Sequence, residues 1–234
     1  MASPSWRYGW VTKKCKIANN LARGEAGGSY SEAAILVCTV LSALAAEVWP
    51  GRGSDRARFV ELLVRLGSSP SSPMIISVPL FVQHLETTSA ENSKDCATIV
   101  VKKFLAFQSS RVLTGSEVDK MECELESICP TLMPATIRKF SYANLLYEQV
   151  RSSYAHEYRP GDKADSWPMT ASKGQCASYV NRLLGPGIPK TERLIHFHIA
   201  WLTTLAVDLA GAIDAISDTV PHQKPKSWWI HGAP

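Results

Sequence analysis

The chain has 234 residues, 45% of them hydrophobic and 20% charged, with a net charge of +4 from 25 basic and 21 acidic residues. Folding a chain of this length buries roughly 70% of the surface its unfolded form exposes, so a full core can form without disulfide or metal staples. The composition excludes wholesale disorder, collagen and a coiled-coil rod, and the modest positive balance admits a polyanionic partner without requiring one.

From the N-terminus, Trp6, Tyr8 and Trp10 precede Lys13, Lys14 and Lys16, with no early apolar stretch, so no secretory signal is expected. A short helix is predicted over Lys13–Ala22, ended by Gly24 and Gly27-Gly28. Ser29 and Glu32 have capping-box spacing and should start a helix from Tyr30 to Val48 that is apolar on most sides, hence central and buried. Its apolar run, Ala33 to Ala46, is interrupted by Thr39 and Ser42 and reads as too short to span a bilayer. Pro50-Gly51 stops it.

Ser54 is the expected cap of a helix over Asp55–Leu66, with Phe59, Leu62, Leu63 and Leu66 at helical spacing; Gly67 and Ser68-Ser69-Pro70 end it. Pro79 suits the first turn of another helix reaching Glu86. Ala97–Phe107 reads as helix in spite of its β-branched run, and Ser116 should cap a helix from Glu117 to Ile128, closed by Pro130. A long helix is predicted over Ala135–Tyr158, with Ile137, Phe140, Tyr147 and Val150 on its apolar stripe and Pro160-Gly161 after it. The period then changes to two. Ala177–Asn181 and Arg193–Phe197 read as the strands of a hairpin inserted at about 176–198, joined through Leu184–Pro189. A last helix is predicted from Ala200 to Ser217, and residues 221–234, with Trp228 and Trp229, are expected to form a peripheral tail. The fold expected is mainly α: one helical domain over 1–220 with a small antiparallel hairpin before the last helix.

Chemistry is sparse. Cys15, Cys38, Cys96, Cys123, Cys129 and Cys176 show no CxxC pair and read as buried small hydrophobes in a reducing cytoplasm. No phosphate-cradling loop and no carboxylate set at metal spacing occurs, so no metal or organic cofactor is expected. His196 and His198 could share a metal as alternate strand residues, but lack a third ligand nearby, and read as packed histidines.

One segment combines an arginine and a histidine near the end of a helix: Tyr147-Glu148-Gln149-Val150-Arg151-Ser152-Ser153-Tyr154-Ala155-His156-Glu157-Tyr158. Imidazole transfers protons near neutral pH, and guanidinium holds phosphate with a planar fork of donors. Arg151-x4-His156 resembles the R-x4-6-H signature of HEPN-domain proteins, and Ser29–Ala34 and Asp55–Leu63 resemble the early helices of prokaryotic members. The resemblance covers roughly residues 29 to 158. It implies a HEPN-like helical bundle acting as a metal-independent endoribonuclease, a toxin or defence effector, in which two motifs converge in one cleft of a homodimer. It implies RNA as partner, and a neutralising antitoxin or defence-system partner besides; the absent signal and the short apolar run lead separately to the expectation of no membrane and a cytoplasmic location.

The implied roles are Arg151 on the scissile phosphate and His156 as general acid or base. Ser152 stands where family members carry Asn, Asp or His, and would support the site with Tyr154, Glu157 and Tyr158. Arg138, Lys139, Arg159 and Lys163 could track the phosphate backbone, and Tyr154 and Tyr158 could stack on bases. Five residues on one straight helix subtend about 140° and ~7.5 Å, so two symmetry-related copies are needed to bring the groups together. The alternative, favoured by Ser152, is a catalytically inactive HEPN-like nucleic-acid-binding or scaffold protein; taken singly, Arg151 could instead be a surface pair with Glu148 and His156 a cation at a helix C-terminus. A second match, Arg193-x4-His198, falls on an expected strand and is set aside.

Overall fold

Serine hydroxyls start several of the helices. Ser5, Ser29, Ser77 and Ser141 each accept a hydrogen bond from a backbone N–H in the first turn that follows them. The computed structural model describes residues 5–51, 55–67, 73–89, 91–104, 112–167, 169, 174–183 and 191–216. Within these the protein is mainly helical, with a small three-stranded antiparallel sheet. The expected cap at Ser54, the stop at Ser68–Pro70, the end of the helix at Phe107, the connection Leu184–Pro189, the end of the last helix at Ser217 and the 221–234 tail lie outside the described residues.

Helix α1 (Trp6–Ala22) begins seven residues before the predicted Lys13. Its start is fixed from afar: Ser5 and Arg7 bond the carboxylate of Asp214, and Arg7 also reaches Glu47. Helix α2 (Tyr30–Val48) and helix α3 (Asp55–Leu66) occupy the predicted spans. Helix α2 packs against α1, α3 and the last helix, with Ala33, Ala34, Val37 and Leu41 fully buried. At 19 residues it is longer than its apolar run, and is long and apolar enough by itself to cross a membrane; half of that stretch is buried inside the fold. Helix α4 (Val78–Thr87) follows, with Pro79 in its first turn. Helix α5 (Glu91–Lys103) starts six residues before the predicted Ala97.

Two predicted helices are broken, both by tertiary demands. The first splits into α6 (Gly115–Val118) and α7 (Glu122–Ile128). Asp119 between them is extended, and its carboxylate turns inward to accept from the Val78 N–H (3.0 Å), the Tyr179 hydroxyl (2.6 Å) and the Tyr142 hydroxyl. The Lys120 backbone pairs with Ile76. The second splits into α8 (Pro134–Arg138) and α9 (Tyr142–Leu145). The chain at 73–77 runs along the gap: Ser77 N–H donates to the Phe140 carbonyl, and Tyr142 and Ala143 donate to Ile75 and Pro73. Backbone groups satisfied in this way are withdrawn from a helix ladder.

The hairpin is present. Strand β2 (Ala177–Leu183) pairs with β3 (Thr191–Phe197), with Tyr179 opposite Ile195. A two-residue strand absent from the sequence reading, β1 (Leu113–Thr114), adds to the free edge of β2. Tyr142, Phe197 and Trp201 pack ring on ring, with centroids 5.4–5.7 Å apart, joining α9, the sheet and α11 (Ile199–Ala215). Fully burying a large apolar side chain contributes about 1.5–3 kcal/mol, so this cluster is a main tie between sheet and helices. The cysteines carry no disulfide; Cys15, Cys38, Cys96 and Cys129 are buried as expected, whereas Cys176 is half-buried and Cys123 is exposed.

Candidate functional site

After α9 the chain runs without a break through a π-helical turn, Leu146–Ser152, into α10 (Ser153–Glu157). Such wide turns occur mostly as single insertions in α-helices, frequently at functional sites. Two donors meet carbonyls in this turn: Ser153 Oγ bonds the Glu148 carbonyl (3.0 Å) and the Gly161 N–H bonds that of Gln149 (2.7 Å). Gly161 lies so close that a Cβ there would fall 2.4 Å from Gln149 Oε1 and 2.9 Å from Ser153 Oγ. The turn is therefore held from below by the segment that follows the helix.

Arg151 sits in the π turn and faces inward. Its Nη2 pairs with Asp55 Oδ2 (2.7 Å), its Nε donates to Ser42 Oγ (3.3 Å), and its guanidinium carbon lies 5.5 Å from the centre of the Tyr147 ring. The Tyr147 hydroxyl also reaches Asp55 Oδ2 (3.4 Å). The expected alternative pair with Glu148 does not form: Glu148 is taken by Arg56, 2.7 Å away. Arg151 lines a small open cavity of about 120 Å³ between α2 and α10, together with Ile35, Cys38, Thr39, Ser42, Tyr154 and Ala155. Burial pushes the Cys38 thiol up to about 12, although Arg151 pulls the other way, so it stays protonated and is a poor nucleophile.

His156 is exposed on α10, and no hydrogen bond or ion pair joins it to another described residue. Within one chain the structure does not bring Arg151 and His156 together. Ser152 is half-buried and makes no hydrogen bond to His156. Tyr154 is 3% exposed, with its hydroxyl 3.4 Å from Ser31 Oγ; it belongs to the core and cannot stack on a base. Glu157 is exposed and paired with Arg159 (2.7 Å). Tyr158 is 63% exposed and ends the helix in the left-handed region (φ 55°), with its hydroxyl on Glu32 (2.8 Å). Hydrogen bonds from Ser29 and Tyr158 hold the Glu32 carboxyl down to about 2.

The four cations expected to follow RNA divide. Arg138 and Arg159 are neutralised by Glu122 (2.6 Å) and Glu157. Lys139 and Lys163 are exposed, and Lys163 Nζ lies 5.1 Å from the Phe140 ring, with His84 against the same ring (5.2 Å). Burial, then the charges of Lys163 and Lys139, lower the His84 pKa.

The second Arg-x4-His match is entirely different. Arg193 and His198 are 6% and 2% exposed. His198 Nε2 is 2.8 Å from Ser178 Oγ, the His196 ring packs 5.1 Å from that of His198, and His196 Nδ1 is 3.8 Å from the Asp165 carboxylate. Burial lowers both histidines to about 4, with His196 adding to the effect on His198, so both are neutral at neutral pH. Among the described residues no group of three or more His, Cys, Asp or Glu side chains is placed to hold a metal.

Sequence spacing does not pair Arg151 with Ser42 or Asp55. The signal was there in part: Ser42 and Thr39 are the polar interruptions of an apolar helix, and both line the cavity. No protein-family model matches the chain, and neither a curated protein nor a solved structure is significantly similar to it.

Proposed function

We propose that the protein is a metal-independent endoribonuclease of HEPN type, a toxin or defence effector in the cytoplasm, with RNA as substrate. The observation that carries this reading is a fixed arginine at the edge of an open cavity, followed on the same continuous helix by an exposed, unengaged histidine. Arg151 would bind a non-bridging phosphate oxygen and neutralise the charge that develops as the phosphorus becomes five-coordinate. His156 would remove the 2′-hydroxyl proton or deliver one to the leaving 5′-oxygen.

One copy does not assemble these groups, so the reading requires a C2 homodimer in which His156 of one protomer approaches the cavity of its partner. Ala155 and Thr39, both exposed at the cavity rim, leave room for such an approach. Lys139 and Lys163 would add backbone contacts. A neutralising antitoxin or defence-system partner would cover the same face.

The test is incubation of the purified protein with total RNA in excess chelator. Fragments are expected from the wild type, none from Arg151→Ala or His156→Ala alone, and a measurable fraction of activity when the two variants are mixed so that subunits exchange. RNA bound but left intact would support the inactive binding protein instead, a reading favoured by the lack of a bond from Ser152 to His156.

A further inference from the structure

Arginine side chains at a surface usually sample many rotamers, and holding one costs entropy. Arg151 is held on three sides. Asp55 takes Nη2, Ser42 takes Nε, and the Tyr147 ring covers one face. Asp55 is itself anchored, by the Tyr147 hydroxyl and by Arg58 at 3.9 Å. The anchors come from three separate elements: α2, the first turn of α3 and the π turn. Nη1 alone has no partner among the described residues, and Arg151 lines the cavity together with Thr39 and Ala155.

We propose that Asp55 and Ser42 are positioning residues for Arg151, fixing its fork so that Nη1 is presented to a phosphodiester oxygen entering the cavity between α2 and α10. The inference rests on the ribonuclease reading and extends it to two residues that touch no substrate. Hydrogen-bonded outer partners of this kind restrict a functional side chain to its productive geometry. The opposite effect is also physically available, because a carboxylate 2.7 Å from a guanidinium can mask its charge from RNA. The two effects have opposite signs in a double-mutant cycle, which makes the choice measurable.

The probe is a single-stranded 2′-O-methyl RNA oligonucleotide, which cannot be cut by 2′-hydroxyl attack, with binding read by fluorescence anisotropy. Arg151→Ala is expected to weaken binding at least fivefold. In the Asp55→Asn background the same substitution is expected to cost less than half that factor, because the arginine is already misaligned. An equal or larger penalty overturns positioning, the larger one meaning that Asp55 masks Arg151; no binding by the wild type overturns it as well. On cleavable RNA, Asp55→Asn should lower kcat about tenfold while affinity for the probe changes less than threefold, with Asp55→Glu restoring part of the rate. Ser42→Ala should show the same split more weakly, and it carries the cycle if Asp55→Asn fails to fold. If the wild type cleaves no RNA, the ribonuclease reading fails, and the binding cycle alone decides whether Asp55 positions Arg151.

Discussion

The chain contains the same Arg-x4-His spacing twice, and the fold treats the two copies in opposite ways. Arg151 and His156 lie on one continuous helix, one clamped beside an open cavity and the other exposed, with no hydrogen bond or ion pair to another described residue. Arg193 and His198 lie in and just after strand β3, nearly sealed from solvent, with the histidine bonded to Ser178. The pattern of letters is equal; the solvent access is not. A histidine needs access to a proton acceptor outside the protein to do chemistry, whereas a buried neutral histidine contributes shape and a hydrogen bond.

The largest difference is expected in activity. His156→Ala or Arg151→Ala should reduce RNA cleavage by at least 10²–10⁴-fold, the usual scale for lost proton transfer or charge stabilisation. His156→Ala should change stability by about 1 kcal/mol or less, since that side chain is exposed, whereas Arg151→Ala breaks the pair with Asp55 and the bond to Ser42 and should cost about 1–3 kcal/mol. His198→Ala should do the reverse. It leaves a cavity and strips the Ser178 hydroxyl of one of its two partners, the other being the Gln175 side-chain amide (2.6 Å), and about 2–4 kcal/mol should be lost in urea unfolding, with activity per folded molecule retained. A His198→Ala protein that is stable but inactive would erase the distinction between the two copies.

Acid should act on the buried region first. His196 and His198 sit near 4 in the fold and near 6.5 when unfolded, so between those values the unfolded chain binds more protons. Stability is therefore highest above about 6.5 with respect to these groups, and falls as the pH drops towards 4 by up to about 1.4 kcal/mol per unit per group. Asp119 has the opposite sign. Burial raises it to about 7, against hydrogen bonds from Tyr142 and Tyr179, so its contribution is present at low pH and lost as the pH rises through 7. Asp119→Asn should thus steepen the acid loss of stability, and His196→Gln should flatten it, in denaturation series from pH 7.5 to 4.5. An unchanged slope in both would contradict these assignments.

The smallest effects belong to the surface cations. Lys163→Ala and Lys139→Ala should each weaken RNA binding about two- to threefold and lower the salt slope by roughly one. Arg138→Ala and Arg159→Ala, whose charges are matched by Glu122 and Glu157, should change it less. Equal effects from all four would show that the ion pairs open on binding.

Local chemistry made much of this legible in sequence. The boundaries of α2 and α3 follow from Ser29, Glu32, Pro50 and a clean apolar stripe, and the hairpin follows from its period of two. The breaks at Asp119 and Ser141 do not, because each exists to serve a distant segment: the strand-like stretch at 73–77, Tyr179 and the first turn of α4. Tyr154 carries the same letter as the exposed Tyr158, and only packing against α2 sends it inward. The clamp on Arg151 joins residues about a hundred positions apart, so spacing along the chain cannot display it.

The most direct test is the chemistry of the cut ends. Matched RNA and 2′-deoxy oligonucleotides should be incubated with the wild type in excess chelator and the products resolved by mass. If Arg151 supplies the positive charge and His156 the proton transfer, only the RNA is cut, and its new 3′ ends carry a 2′,3′-cyclic phosphate or its opened form. Cleavage of the 2′-deoxy strand, or cleavage that appears only when Mg²⁺ or Mn²⁺ is added, would contradict the roles assigned to Arg151 and His156.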